Sequence, residues 1–250
     1  MKFSLLASAL ALAQIAAAFP APEKVSIDID PKKLEAQFVK VRAEHKAATQ
    51  GDVSVMGDII KPGDGIPGAI TTRNELIEGG CKPIIVIFAR GTTEPGNVGD
   101  DVGPSFFDNL ELLEPGRVLI QGVNNYPADI WGYLGGGSES GADDMAASVA
   151  RAISQCPSSK IVLSGFSQGA QVTHKAAARM PTAHRSYVGA IVLFGDPNNG
   201  TPFPGVLNNN VLTFCNDGDL ICDGWPIPTS DHSNYENDGP AAAKYVADRL

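Results

Sequence analysis

Apolar and polar positions divide this chain into three regimes. The first is an apolar run from Phe3 to Ile15, interrupted by Ser4, Ser8 and Gln14, with Lys2 ahead of it and Ala16-Ala17-Ala18 behind. A basic start, a short apolar core and a small-residue exit predict a secretory signal peptide over residues 1–18. The run is shorter than the ~20 apolar residues that a membrane span requires, and no later stretch is long enough. The second regime, residues 19–70, is polar and rich in turn formers. Pro20, Pro22 and Pro31 lead into a charged stretch, Pro31 to Gln50, which could form an exposed helix, and Lys61-Pro62-Gly63-Asp64-Gly65-Ile66-Pro67-Gly68 follows it. This segment reads as a propeptide or flexible N-terminal extension, with Lys32-Lys33 as a processing point. The alternative is an ordered arm packed on the domain.

The third regime, residues 71–250, alternates short apolar runs with helical stretches. The runs are 84–88, 118–120, 161–163, 190–194 and 211–214, and each is continuously apolar or nearly so. Continuous apolar runs mark strands buried on both faces. Helices are predicted at 105–113, 142–155, 168–180 and 241–250; in the second, Met145, Val149 and Ile153 recur at i, i+4 and i+8. Alternating strand and helix predicts an α/β domain with a five-stranded parallel sheet and helices on both faces. There is no internal repeat.

Composition narrows the class. A net charge of −9 argues against nucleic acid as a partner, because phosphate binding needs cations. With Lys2 removed, 18 cationic residues face 28 anionic ones. The 43% apolar fraction excludes a disordered chain. Four cysteines in an exported protein favour two disulfides over metal ligation. Three connectivities are open. The spacing of Cys215 and Cys222 around Asn216-Asp217-Gly218-Asp219 favours a local clip, which leaves Cys81 with Cys156. The cysteine spacing and the dispersed histidines predict no metal and no cofactor.

Catalytic groups in such sheets collect at the carboxyl ends of the strands. After the third strand comes Gly165-Phe166-Ser167-Gln168-Gly169, a G-x-S-x-G pattern between a strand and a helix. That context predicts an elbow presenting the Ser167 hydroxyl above the sheet. A serine needs a base. His45 lies in the extension, His174 in the elbow helix and His184 in the link to the fourth strand; His232 alone follows an acid in the order Ser, Asp, His. Acid candidates are Asp196, Asp217, Asp219, Asp223 and Asp231. Asp219, inside the Cys215–Cys222 clip, is preferred, with Asp196 at a strand end as its rival.

Several segments together resemble the cutinase family of serine esterases: Ala89-Arg90-Gly91-Thr92-Thr93-Glu94, Asn125-Tyr126-Pro127-Ala128, Gly165 to Gly169, Cys215 to Cys222, and His232-Ser233-Asn234-Tyr235. The resemblance spans residues 71–250. It implies a small lidless α/β-hydrolase, the triad Ser167, Asp219 and His232, and the disulfides Cys81–Cys156 and Cys215–Cys222. It places the oxyanion hole at Thr92 and Gln168. It also implies a secreted, monomeric enzyme acting on an apolar polyester surface or on short acyl esters, with an acetylxylan-type esterase as the alternative. Asp231 and Ser233 stand where the family often has Pro and an apolar residue, which makes one lip more polar. Trp225, Pro226, Ile227 and Pro228 supply apolar surface beside it, with Trp131 and Leu134 as further candidates. Asn199-Gly200-Thr201 is a glycosylation sequon.

Overall fold

The computed structural model describes residues 29–52 and 70–250. The predicted signal peptide and the turn-rich run at 61–68 lie outside these residues. One all-parallel sheet has the strand order β2-β1-β3-β4-β5, from β1 (Ile84–Ala89), β2 (Val118–Gly122), β3 (Lys160–Phe166), β4 (Val188–Phe194) and β5 (Val211–Phe214). Helices connect the strands: α2 (Val102–Leu113), α3 (Ile130–Leu134), α4 (Glu139–Gln155), α5 (Gln168–Arg179), α6 (Thr182–Arg185) and α7 (Gly239–Ala247). The short α3 and α6 were not legible in the sequence. The other helices begin within three residues of their predicted starts.

The two-residue side-chain period of a strand divides the core. Ile85, Ile87, Leu163, Ile191 and Leu193 face α4 and α5, meeting Met145, Val149, Ala170 and Ala176. Ile84, Val86, Phe88, Val162, Val192 and Phe194 face the opposite way, against Phe106, Phe107 and Leu110 of α2 and Ala242, Ala243 and Val246 of α7. Burial on both faces is why the central strands read as unbroken apolar runs. Disulfides join Cys81 to Cys156 and Cys215 to Cys222.

The chain runs from β1 outward to β2, then crosses back to β3 on the other side of β1. Loops after β1 and β3 therefore diverge and leave a crevice at their carboxyl ends. Thr92 follows β1 and Ser167 follows β3, so both stand at that crevice.

The charged stretch 31–50 forms a helix, α1 (Pro31–Asp52), but it is not exposed all round. Leu34, Phe38 and Val41 recur at i, i+4 and i+7, a narrow apolar stripe that the surrounding charges hide in a sequence average. Leu34 and Phe38 are buried against Ile130, Tyr133 and Ile221. The described part of the extension is thus an arm packed on the domain.

Candidate active site

Ser167 joins β3 to α5 with φ +55° and ψ −118°. A non-glycine residue there stores about 1–3 kcal/mol of backbone strain, so the surroundings must enforce it. Close backbone contact does so. A Cβ on Gly169 would stand 1.9 Å from the Ala89 carbonyl oxygen, and one on Gly165 would stand 2.3 Å from that of Gly169. Both motif glycines are therefore required by space. The Ser167 N–H donates to the Phe194 carbonyl at 2.9 Å, pinning the turn to β4.

Ser167 Oγ lies 2.9 Å from His232 Nε2, and His232 Nδ1 lies 2.8 Å from Asp219 Oδ2. All three residues are almost wholly buried. Asp219 sits in the turn clipped by Cys215–Cys222. Its Oδ1 accepts the Ile221 N–H at 3.0 Å, and its Oδ2 also accepts the Tyr235 hydroxyl at 2.5 Å. Burial alone would raise the Asp219 pKa, but the hydrogen bonds from His232, Tyr235 and Ile221 hold it below the usual carboxylate value. An ionised Asp219 only accepts, so His232 donates through Nδ1 and a neutral ring offers its Nε2 lone pair to the serine hydroxyl. Phe166 stacks on the imidazole at 5.1 Å between centroids, and Tyr235 meets it edge-on at 6.1 Å. A serine bonded to an imidazole that an anionic carboxylate orients is equipped for nucleophilic acyl transfer.

Gln168 is the first residue of α5, so its N–H has no partner within the helix. Its side-chain Nε2 donates to Thr92 Oγ1 at 3.0 Å and to the Asp129 carbonyl at 2.8 Å. Because Thr92 Oγ1 accepts that bond, its own proton is available to a group in the crevice. Glu94 orders this loop from below. Its carboxylate accepts the N–H groups of Gly91 at 2.6 Å, Asp101 at 3.0 Å and Asp100 at 3.1 Å. Burial nevertheless pushes the Glu94 pKa up.

The family model for cutinases matches residues 80–250. A cutinase of Pyrenopeziza brassicae is 44% identical over 170 residues, covering 68% of this chain and 83% of the relative. A cutinase of Hypocrea jecorina is 36% identical over 237 residues, 94% of each chain. A Trichoderma reesei cutinase solved with a C11Y4 phosphonate inhibitor superposes with a TM-score of 0.68 at 34% identity, covering 87% of this chain and 96% of that one. The chain belongs to the cutinase family. It is a serine carboxylic ester hydrolase by that membership.

In this cutinase-family chain, α1 lies against His232 and beside Ser167. Phe38 meets the His232 ring edge-on at 6.1 Å and the Tyr133 ring at 5.1 Å. The lidless expectation concerned residues 71–250, and the covering element comes from the extension before them. Phe38, Val41, Arg42 and Pro228 roof a space of ≈ 20 Å³ beside Ser167 and Thr92, room for about one water. Gln37 Nε2 donates to the Pro228 carbonyl at 3.0 Å, His45 Nε2 pairs with Glu236 Oε1 at 2.7 Å, and Lys46 pairs with Asp100. A second hollow of ≈ 190 Å³ opens among Tyr133, Leu134, Gln171, Pro197, Trp225 and Pro226. Trp131 is exposed but does not line it. Of the two polar departures, Ser233 lines the space beside Ser167, whereas the Asp231 carboxylate lies against Gly218.

The other candidates fall elsewhere. Asp196, the rival acid, pairs with His174 Nε2 at 2.8 Å, and the His174 ring stacks on Phe203 at 4.1 Å. Asp217 and Asp223 are exposed, His184 lies in α6, and Asn199 stands in an exposed loop. Sequence reasoning missed Tyr235, Glu94 and Phe38 as site residues. Tyr235 and Glu94 lay within segments that carried the family resemblance, but what they bond to is invisible in one dimension. Among the described residues no helix is long and apolar enough to cross a membrane.

Proposed function

We propose that this chain is an exported serine esterase whose foremost substrate is cutin polyester, with Ser167 as nucleophile, His232 as general base and acid, and Asp219 as its orienting anion. The observation that carries this is the hydrogen-bonded series from Ser167 to His232 to Asp219, set on a strained elbow at the sheet's carboxyl edge. His232 Nε2 takes the hydroxyl proton as Ser167 Oγ bonds to the ester carbonyl carbon. The oxyanion is held by the N–H groups of Thr92 and Gln168 and by the Thr92 hydroxyl; removing one such donor typically costs ~10²–10³ in rate. The ester C–O bond then breaks, and the departing alcohol takes the proton from His232. Water repeats the sequence on the acyl-enzyme, releasing the acid and restoring Ser167. All three groups come from one chain, so no partner subunit is needed.

The hollow beside Trp225 and Leu134 suits an acyl chain or an apolar polymer. With α1 docked the space beside Ser167 is ≈ 20 Å³, so in this reading α1 moves aside as the ester enters. Residues 1–18 serve as the export signal, residues 19–70 as the extension that carries α1, and Asn199 as a glycosylation site.

Release from cutin, release from acetylated xylan, and turnover of acetyl, butyryl and longer soluble esters are compared with and without Ser167→Ala. Loss of all hydrolysis and of phosphonate labelling in the variant supports the reading; retained hydrolysis refutes the nucleophile. Preference for acetylated xylan over every longer ester refutes cutin as the substrate.

A further inference from the structure

The four histidines are dispersed in sequence, which argued against a metal, but folding changes the count. His45 comes from α1, Asp101 from the start of α2, and Glu236 from the turn just after His232. Their ligand atoms all lie within 4.8 Å of one another. We infer that His45, Asp101 and Glu236 form a divalent-cation site of the zinc class, which ties α1 down over the active-site crevice.

Two observations beyond proximity point to a ligand there. Glu236 is 7% exposed, and its Oε2 has no hydrogen-bond partner among the described residues, although Oε1 pairs with His45. A buried carboxylate oxygen without a partner costs free energy that a bound cation removes. Asp101 occupies the N-cap of α2, where a carboxylate normally accepts an N–H of the first turn, yet its side chain makes no such bond. The Ser105 hydroxyl donates to the Glu236 backbone carbonyl at 2.7 Å, which fixes this turn against α2 independently of α1.

Donor chemistry selects the ion. Ca²⁺ and Mg²⁺ prefer all-oxygen shells, whereas one imidazole with two carboxylates suits Zn²⁺, with water as a fourth ligand. Ligand bonds of ~2.0–2.2 Å put tetrahedral donors about 3.3 Å apart, so the farthest pair must close by up to about 1.5 Å. Side-chain rotation can supply that movement. The His45–Glu236 hydrogen bond opens to admit the ion, and two ligands on the domain with one on α1 make it a clasp.

Zn²⁺ uptake is independent of the esterase reading; only its effect on turnover rests on that reading. The full chain is titrated with ZnCl₂ by calorimetry, with proteolysis of α1 and turnover of a soluble ester followed in parallel. The expected result is one ion per chain, slower cleavage within α1, and at least tenfold slower turnover that a chelator reverses. His45→Gln retains a donor for Glu236 but no imidazole nitrogen, and is expected to weaken uptake at least tenfold and abolish the zinc effects. Glu236→Gln is expected to do the same, while Ser167→Ala binds as the parent does. Absence of uptake, or equal uptake and inhibition by the parent and His45→Gln, overturns the site; the latter would put zinc on His232 and Asp219. Uptake with protection of α1 but unchanged turnover upholds the clasp and refutes α1 as an obstacle to substrate.

Discussion

Replacing Phe38 with Ala should make this enzyme faster on a small soluble ester. Phe38 is 7% exposed, packed edge-on to Tyr133 and lying over His232, and with Leu34 it forms the apolar contact of α1. Removing a buried phenyl group forfeits ~1.5–3 kcal/mol of apolar burial. The aromatic pairs add ~0.5–1.5 kcal/mol. The docked state of α1 thus loses about 2–4.5 kcal/mol, a shift of roughly 30-fold to 2,000-fold in its docking equilibrium. Alanine is a strong helix former, so α1 remains a helix while its docking weakens. When the open form is scarce, kcat/KM scales with its population and reaches a ceiling once that form dominates. A rise of at least tenfold in kcat/KM for a butyryl ester is expected, together with faster proteolysis at Lys40 or Arg42. Phe38 also touches the His232 ring, so Leu34→Ala, which loosens the same helix without that contact, serves as the second variant. If both variants expose α1 to protease yet turn over ester no faster than the parent, α1 does not gate the site.

Four further variants follow from the same geometry. Gly169→Ala would force its Cβ against the Ala89 carbonyl 1.9 Å away, so neither fold nor activity should survive intact, as circular dichroism and ester turnover would reveal. Asp219→Asn should lower kcat by about 10³–10⁴, because His232 loses its anionic partner. The same variant should flatten the acid limb of stability. The folded pKa of Asp219 is depressed, so its stabilisation is present above the unfolded value near ~3.9 and is lost as pH falls through the lower folded value. Denaturant melts of parent and variant at successive pH values check this, and parallel curves below pH ~4 would contradict it. Tyr235→Phe removes a 2.5 Å bond to Asp219 and leaves the Asn216 N–H without its acceptor; a loss of about 2 kcal/mol is expected by chemical denaturation. Glu94→Ala strands two buried N–H groups and a half-buried one beneath the Thr92 loop and should cost about 3 kcal/mol and slow kcat together. Unchanged kcat would mean that the loop holds its shape without Glu94.

By itself the sequence determined the sheet and the elbow. Buried parallel strands must be apolar on both faces, so β1 to β4 announced themselves as short apolar runs, with the half-buried edge strand β5 beside them. The G-x-S-x-G pattern marked the elbow, although Gly169 is demanded by the distant Ala89 carbonyl and only Gly165 by a contact four residues away. Local chain order and spacing also pointed to Asp219 and His232 and to the Cys215–Cys222 clip. What the sequence left open depends on contacts between distant segments. Asp196 and Asp219 both follow strands; folding gave Asp196 to His174 and Asp219 to His232. The stripe of Leu34, Phe38 and Val41 is too narrow to stand out among its charges, and nothing local says that it covers the crevice. His45 and Glu236 are 191 positions apart, yet they meet across α1 and the turn that carries His232. Short-range sterics and strand burial are written in local residue types, whereas what roofs the site and which charges share a pocket were decided only when the chain closed on itself.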